Sequence, residues 1–312
     1  MPTAVSRDFL AIEGLDGDAI TAWLDAAEAM VPFAAGERFL PHPLPLAGRV
    51  VANLFFEDST RTRVSFEIAG KRLGAEITNL SASGSSASKG ETLLDTARNI
   101  EAMGVDAIVV RSGVSGAAAM LARHLECPIV NAGDGRHEHP TQGLLDLLSL
   151  RRHLGTIAGR RIAIVGDIAH SRVARSVTHG LAALGAETVL VGPPTLVDPS
   201  LERLAKGPGR ISVGYDLDAV LPSVDAVMTL RIQLERAAGT GISSDYRANY
   251  GMTRARRDRM REGCAILHPG PVNRGIEIDD DVADDPARSL ILRQVTHGVA
   301  VRMAVLRRCV LG

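Results

Sequence analysis

Five consecutive residues, Ser59-Thr60-Arg61-Thr62-Arg63, bring together three hydroxyls and two guanidinium groups. The apolar run before them, residues 49–56, predicts a buried strand, and the amphipathic run after them, residues 64–73, predicts a helix. Ser59 is a good N-cap candidate, which would leave the next backbone N–H groups pointing outward. A helix N-terminus combined with hydroxyls and arginines is a site for phosphate or another anion. A capped helix with solvated arginines is the plainer reading, but it does not account for this density of anion-binding groups.

The elements that must position such a site follow a regular order. Strands are predicted at 75–80, 106–111 and 127–131, and helices at 91–103, 116–125 and from 143 onward. Polar loops follow the strands, including residues 132–142 with His139, Thr141 and Gln142. This is the alternation of an open parallel sheet wound on both sides, in which ligands bind beyond the carboxyl ends of the strands. Arg61, Arg111 and His139 all follow strands, so the topology alone would bring them to one edge.

After a junction at residues 155–159 a second series begins: a strand at 160–165 ending in Gly166-Asp167, a helix at 171–184, and strands at 187–191, 211–214, 226–230 and 265–267. Residues 231–251 show little periodicity and predict a long loop, a feature more often functional than decorative in a compact domain. The turn His268-Pro269-Gly270-Pro271 follows another strand. A final helix at 289–310, interrupted near Gly298, could cross back to the first domain. The expected fold is therefore α/β, with two doubly wound domains.

Two tempting motifs fail on inspection. The Ser/Gly-rich stretch 81–90 ends Lys89-Gly90, whereas a P-loop needs Gly-Lys followed by Ser or Thr. The strand ending in Val165-Gly166-Asp167 lacks the Gly-x-Gly-x-x-Gly of a dinucleotide site.

Composition narrows the function classes. The chain has 312 residues, 46% apolar and 23% charged, enough for two α/β domains. A net charge of −1 gives no global field toward nucleic acid or a membrane, so any cationic site must be local. Aromatic residues, at 3%, are too few for base-stacking platforms. Cys127, Cys264 and Cys309 are odd in number and widely spaced, which predicts three buried thiols rather than disulfides or a metal site. With no long apolar stretch and no basic-then-apolar leader pattern, a cytoplasmic protein is expected.

Over nearly its whole length the sequence resembles the catalytic chains of the aspartate transcarbamoylase (aspartate carbamoyltransferase) family. The matching blocks occur in the family's order: 59–63, Ser85 with 88–92, 106–111, 131–135, 139–142, 165–167 with Arg172, 228–233 and 268–271. The Ser-Thr-Arg-Thr-Arg block alone would mark the wider transcarbamoylase group. Ornithine enzymes, however, carry a His-Cys-Leu-Pro turn where this chain has His268-Pro269-Gly270-Pro271, and often Cys where it has Thr141. Some family members have Leu in place of Gly270.

The resemblance implies a carbamoyl-phosphate domain from residues 1–149 plus 289–312 and an aspartate domain from 150–288. It implies transfer of a carbamoyl group from carbamoyl phosphate to L-aspartate, an early step of pyrimidine synthesis, with no cofactor or metal. Phosphate would lie on Ser59, Thr60, Arg61 and Thr62. Arg111 would touch both the phosphate and the carbamoyl oxygen, His139 and Thr62 would also reach that oxygen, and Gln142 with the backbone carbonyls of Pro269 and Gly270 would hold the carbamoyl nitrogen. Arg172 and Arg231, assisted by Gln233, would pair with the two aspartate carboxylates. Ser85 and Lys89 would reach the neighbouring chain's site, which implies a homotrimer, and Glu57 would pair with Arg172 and Arg236 on domain closure. Regulatory chains or a dihydroorotase are possible further partners. A transcarbamoylase with another amine acceptor and a non-catalytic structural paralogue are the competing readings.

Overall fold

The computed structural model describes residues 7–81, 91–232 and 245–312. The chain divides into two compact units. One is Met1–Ile12, Thr21–Leu144 and Thr296–Gly312; the other is Glu13–Ile20 and Leu145–Val295.

Among the described residues, the first unit is built on four parallel strands: β1 (Val50–Phe55), β2 (Glu76–Ser81), β3 (Ala107–Ser112) and β4 (Ile129–Asp134), in the order β2-β1-β3-β4. Helix α1 (Gly17–Ala34) precedes them. Helices α2 (Thr60–Leu73), α3 (Leu93–Ala102), α4 (Ala117–Ala122) and α5 (Pro140–Leu154) alternate with or follow the strands. Strands β1, β3 and β4 are buried almost throughout; the apolar runs of β1 and β3 are what a sheet covered on both faces requires. On one face Ala52, Leu54, Ile108 and Val110 pack with Ala97 of α3 and Leu121 of α4. Burying each large aliphatic side chain of this kind contributes about 1.5–3 kcal/mol.

The second unit has five parallel strands: β5 (Arg161–Val165), β6 (Glu187–Val191), β7 (Arg210–Gly214), β8 (Ala226–Thr229) and β9 (Ala265–Leu267), in the order β7-β6-β5-β8-β9. Its helices are α6 (Arg172–Ala183), α7 (Leu217–Val220), α8 (Tyr246–Tyr250), α9 (Arg254–Arg259) and α10 (Asp280–Ala283). Helix α11 (Ile291–Leu311) closes the chain, with residues from Thr296 onward belonging to the first unit. The second core gathers Val165, Val191, Val227, Ile266 and Ile278.

Several boundaries differ from the sequence expectation. Helix α2 begins at Thr60 rather than 64, because the carbonyl of Ser59 already accepts from the N–H of Arg63 at 3.1 Å. Strand β4 runs to Asp134, three residues into the expected loop. Its buried polar side chains satisfy one another: Asn131 Nδ2 donates to Asp134 Oδ1 at 3.0 Å, and Gly133 N–H donates to Asn131 Oδ1 at 2.8 Å. Helix α11 passes through Gly298 without interruption. A mid-helix glycine costs about 1 kcal/mol, and here the flanking Val299, Ala300, Val301 and Met303 are all buried. Within the expected long loop, residues 246–250 form α8. Cys264 and Cys309 are buried free thiols, whereas Cys127 is only half-buried. Among the described residues, no helix is long and apolar enough to cross a membrane.

Candidate active site

Both sheets reverse their strand order once, and several candidate residues lie on or follow the strands that flank those two places. In the first unit the chain leaves β1 toward β2 and returns to place β3 on the other side, so the reversal lies between β1 and β3. Ser59–Thr62 follow β1, and Arg111, one residue before the end of β3, lies opposite Phe55. In the second unit the reversal lies between β5 and β8. Asp167 and Arg172 follow β5, and Arg231 follows β8. Such switch points open a crevice beyond the strand ends, because the two loops there leave in opposite directions.

In the first unit, Ser59 occupies the N-cap position of α2, but its side chain makes no capping hydrogen bond. The expected cap is therefore absent, and its hydroxyl is not committed to the helix. Thr60 and Arg61 are exposed and Thr62 is buried, all in the first helical turn. No acidic residue lies in that turn to neutralise the positive helix end.

Arg111 is buried to 8% exposure. Its Nη1 donates to the carbonyl of Ala132 at 2.9 Å, and its Nη2 donates to Glu57 Oε1 at 3.1 Å. This pairing of Glu57 with an arginine of its own unit was not legible in the sequence, since 54 residues separate the two. It is a result of the parallel register, which sets Phe55 beside Arg111 and brings the loop after β1 to the end of β3.

His139, 4% exposed, immediately precedes α5, and its carbonyl accepts from the N–H groups of Gln142 and Gly143 at 2.9 and 3.0 Å. Pro140 at the first helical position suits this entry, because it has no N–H to leave unpaired. The turn leading to His139 is held by Asp134, a residue the sequence reading placed in a matching block without a role. Asp134 Oδ1 accepts from Glu138 N–H at 3.1 Å and its Oδ2 from Gly116 N–H at 2.6 Å. Thr141 and Gln142 are buried at the start of the same helix.

In the second unit, Ser171 caps α6 by accepting from Ala174 N–H at 3.1 Å, which puts Arg172 at the first helical position, half-buried. Arg231 is likewise half-buried, two residues beyond β8. Gly166 has φ +132°, and a Cβ there would approach Leu230 and the Tyr246 hydroxyl at 3.2 Å, so only glycine fits the turn beside these residues. Burial, with the charges of Glu277 and Asp167 adding to it, pushes the Tyr246 phenol well above its ordinary range, so it keeps its proton.

Pro269 and Gly270 are half-buried in the turn after β9. Gly270 has φ +66°, in the left-handed region, and its N–H donates to His268 Nδ1 at 2.8 Å. Four sequence-based candidates, Ser85, Lys89, Gln233 and Arg236, lie outside the described residues.

Comparison with known proteins bears directly on this arrangement. Residues 7–152 match the sequence model described as aspartate/ornithine carbamoyltransferase, carbamoyl-P binding domain, and residues 158–309 match its Asp/Orn binding domain. The chain is 52% identical over 305 residues to the aspartate carbamoyltransferase catalytic subunit of Myxococcus xanthus, covering 97% of this chain and 99% of that one. It is 50% identical over 307 residues to the corresponding subunit of Granulibacter bethesdensis, covering 97% and 94%. Among solved structures, Trypanosoma cruzi aspartate transcarbamoylase in complex with carbamoyl aspartate and phosphate matches with a TM-score of 0.85 at 32% identity, covering 97% of this chain and 96% of that one. The M. jannaschii catalytic subunit matches with a TM-score of 0.86 at 34% identity, covering 97% of each chain.

Proposed function

We infer that this chain, which belongs to the aspartate/ornithine carbamoyltransferase family, transfers the carbamoyl group of carbamoyl phosphate to the amine of L-aspartate, giving N-carbamoyl-L-aspartate and phosphate for pyrimidine synthesis. The observation that carries this reading is the pair of switch points. One is furnished with hydroxyls, a helix N-terminus and guanidinium groups suited to a phosphate. The other is furnished with two arginines suited to a dicarboxylate.

The residue roles follow from the charges the reaction creates. Ser59, Thr60, Arg61 and Thr62 bind the phosphate. Attack of the amine on the carbamoyl carbon moves negative charge to its oxygen, where Arg111, His139 and Thr62 donate hydrogen bonds. Donors already fixed before the reaction lower the barrier, because they need not reorient as the charge appears. The bonds from Arg111 to Ala132 and Glu57 hold its guanidinium plane for this task. Gln142 and the carbonyls of Pro269 and Gly270 take the carbamoyl nitrogen. Arg172 and Arg231, with Gln233, pair with the aspartate carboxylates. The departing phosphate accepts a proton from the amine, so the chemistry proceeds without a covalent enzyme intermediate.

The carbamoyl-phosphate role is assigned to residues 1–149 with 289–312, and the aspartate role to residues 150–288. The chain works as a homotrimer in which Ser85 and Lys89 serve a neighbouring site, and Glu57 supports closure through Arg172 and Arg236. The support for these points is the family resemblance. Mixed assemblies of Arg61→Ala and Lys89→Ala chains are expected to regain activity through sites combining two intact halves; properly reassembled hybrids that stay inactive argue against sharing.

The reaction itself is tested by incubating purified protein with carbamoyl phosphate and either L-aspartate or L-ornithine, and measuring ureido product. Product with aspartate alone is expected. Product with ornithine alone transfers the reading to another acceptor, and no product with either makes the chain a non-catalytic member.

A further inference from the structure

We propose that His268 and Glu277 are positioning residues that hold the Pro269–Gly270 turn in the one conformation able to select an amide over a methyl group on the bound phosphate compound. The proposal rests on the reading that the carbonyls of Pro269 and Gly270 accept from the carbamoyl nitrogen.

The His268 side chain is 0% exposed and that of Glu277 1% exposed, and each bonds the other and the turn. The N–H of Gly270 donates to His268 Nδ1 at 2.8 Å. A backbone N–H can only donate, so Nδ1 is the acceptor. His268 Nε2 lies 3.1 Å from Glu277 Oε1, so Nε2 carries the ring hydrogen and donates to it. The same Glu277 oxygen accepts from Asn273 N–H, beyond the far side of the turn. On the near side, His268 N–H donates to Gln294 Oε1 at 3.0 Å, and Gln294 Nε2 donates to Asp146 Oδ1 at 2.7 Å. The turn is therefore fastened before, within and after the two peptide units in question. A connected buried network of this kind favours one arrangement, because any displacement of the turn breaks several buried bonds at once, although Glu277 Oε2 is itself buried without a partner.

This fastening supplies what the chemistry needs. A carbonyl discriminates NH2 from CH3 only while it is aimed at that position, and a displacement of about 1 Å removes most of the benefit. Gly270 lies in the same turn: its N–H faces the His268 ring, and its φ of +66° sets the direction in which the chain, and with it the Gly270 carbonyl, leaves the turn.

The test uses two stable isosteres, phosphonoacetamide and phosphonoacetone, which differ in having NH2 or CH3 on the carbonyl. Binding of each, and of inorganic phosphate, is measured by calorimetry. The wild-type protein is expected to bind the amide at least about 10-fold more tightly than the ketone, since it alone satisfies the site's polar groups. Glu277→Ala is expected to reduce that preference to under about 3-fold, with phosphate affinity held within about 2-fold. Glu277→Gln keeps an acceptor oxygen for Nε2–H and is expected to restore the preference.

If Glu277→Ala fails to fold, His268→Gln carries the test. It keeps a donor toward Glu277, but its acceptor oxygen sits at the end of the side chain rather than at the Nδ1 position that meets Gly270 N–H, and it is expected to lose the preference. Retention of the full preference in either folded variant overturns the proposal. Absence of any preference in the wild-type protein overturns the underlying reading of Pro269 and Gly270, and the proposal with it.

Discussion

The two switch points occupy the same topological position and are built from different materials. In the first unit, the loop after β1 runs at once into a helix, so the groups proposed to bind phosphate include the helix end itself, and Arg111 is buried among fixed partners. In the second unit, the arginines stand apart: Arg172 on the first turn of α6 and Arg231 on the segment after β8, both half-buried. A single compact phosphate suits a convergent cradle, whereas two carboxylates on one small molecule suit two separated forks. Parallel topology therefore supplies the place, and the residues after each strand supply the specificity.

The largest expected effect tests the first cradle. Arg111→Ala should lower kcat about 10³-fold, or about 4 kcal/mol, because it removes a fixed donor from the developing oxyanion. It should also weaken inorganic phosphate binding, since the same guanidinium serves both. Steady-state kinetics and calorimetry on the folded variant check this. A loss in kcat under 10-fold removes Arg111 from the chemistry.

The next effect belongs to the second unit alone. Arg231→Gln and Arg172→Gln should each lower kcat/KM for aspartate about 10²-fold, within the range expected for a charge-assisted hydrogen bond of about 1.5–3 kcal/mol. Phosphate affinity should stay within about 2-fold of wild type. If phosphate binding falls equally, the contrast between the two switch points is wrong.

Glu57 sharpens the comparison because its role is divided. Its bond to Arg111 places a carboxyl group beside the proposed phosphate cradle, while the family resemblance assigns it to closure upon aspartate. Glu57→Gln should therefore tighten phosphate binding about 3-fold, by removing a neighbouring negative charge, and raise KM for aspartate about 10-fold. Measured changes of equal size and direction for both ligands would argue against this division.

The sequence carried the strand-helix alternation and the position of the described candidates at or after the carboxyl ends of strands, because apolar periodicity and loop polarity are local signals. It did not carry the extent of β4. The polar Asn131 and Asp134 look like loop residues until their mutual bonds are known. Nor did it carry the partners of Arg111 or His268. Glu57 is 54 residues from Arg111, and Glu277 reaches His268 only after the chain has turned back on itself. Pairings of this kind depend on register and turn geometry rather than on composition. Gly298 misled in the opposite direction: its weak helix propensity is outweighed by the buried residues beside it in α11.

The smallest effect on turnover, and a check that the two units share one kind of interior, comes from the buried thiols. Cys309 lies in the first unit and Cys264 in the second, each 1% exposed, and burial pushes both up to about 12. The ordinary value is 9.0, so between about pH 9 and 12 the unfolded chain has lost a proton that the folded chain retains. The unfolding free energy must then fall as pH rises, by about 1.4 kcal/mol per unit for each such thiol, and be unaffected below about pH 8. Urea unfolding at pH 8.5, 9.5 and 10.5 measures this slope. Cys264→Ala and Cys309→Ala should each flatten it by a similar amount while leaving turnover within about 2-fold. A slope unchanged by one substitution but reduced by the other would mean that one unit admits water to its thiol and the other does not.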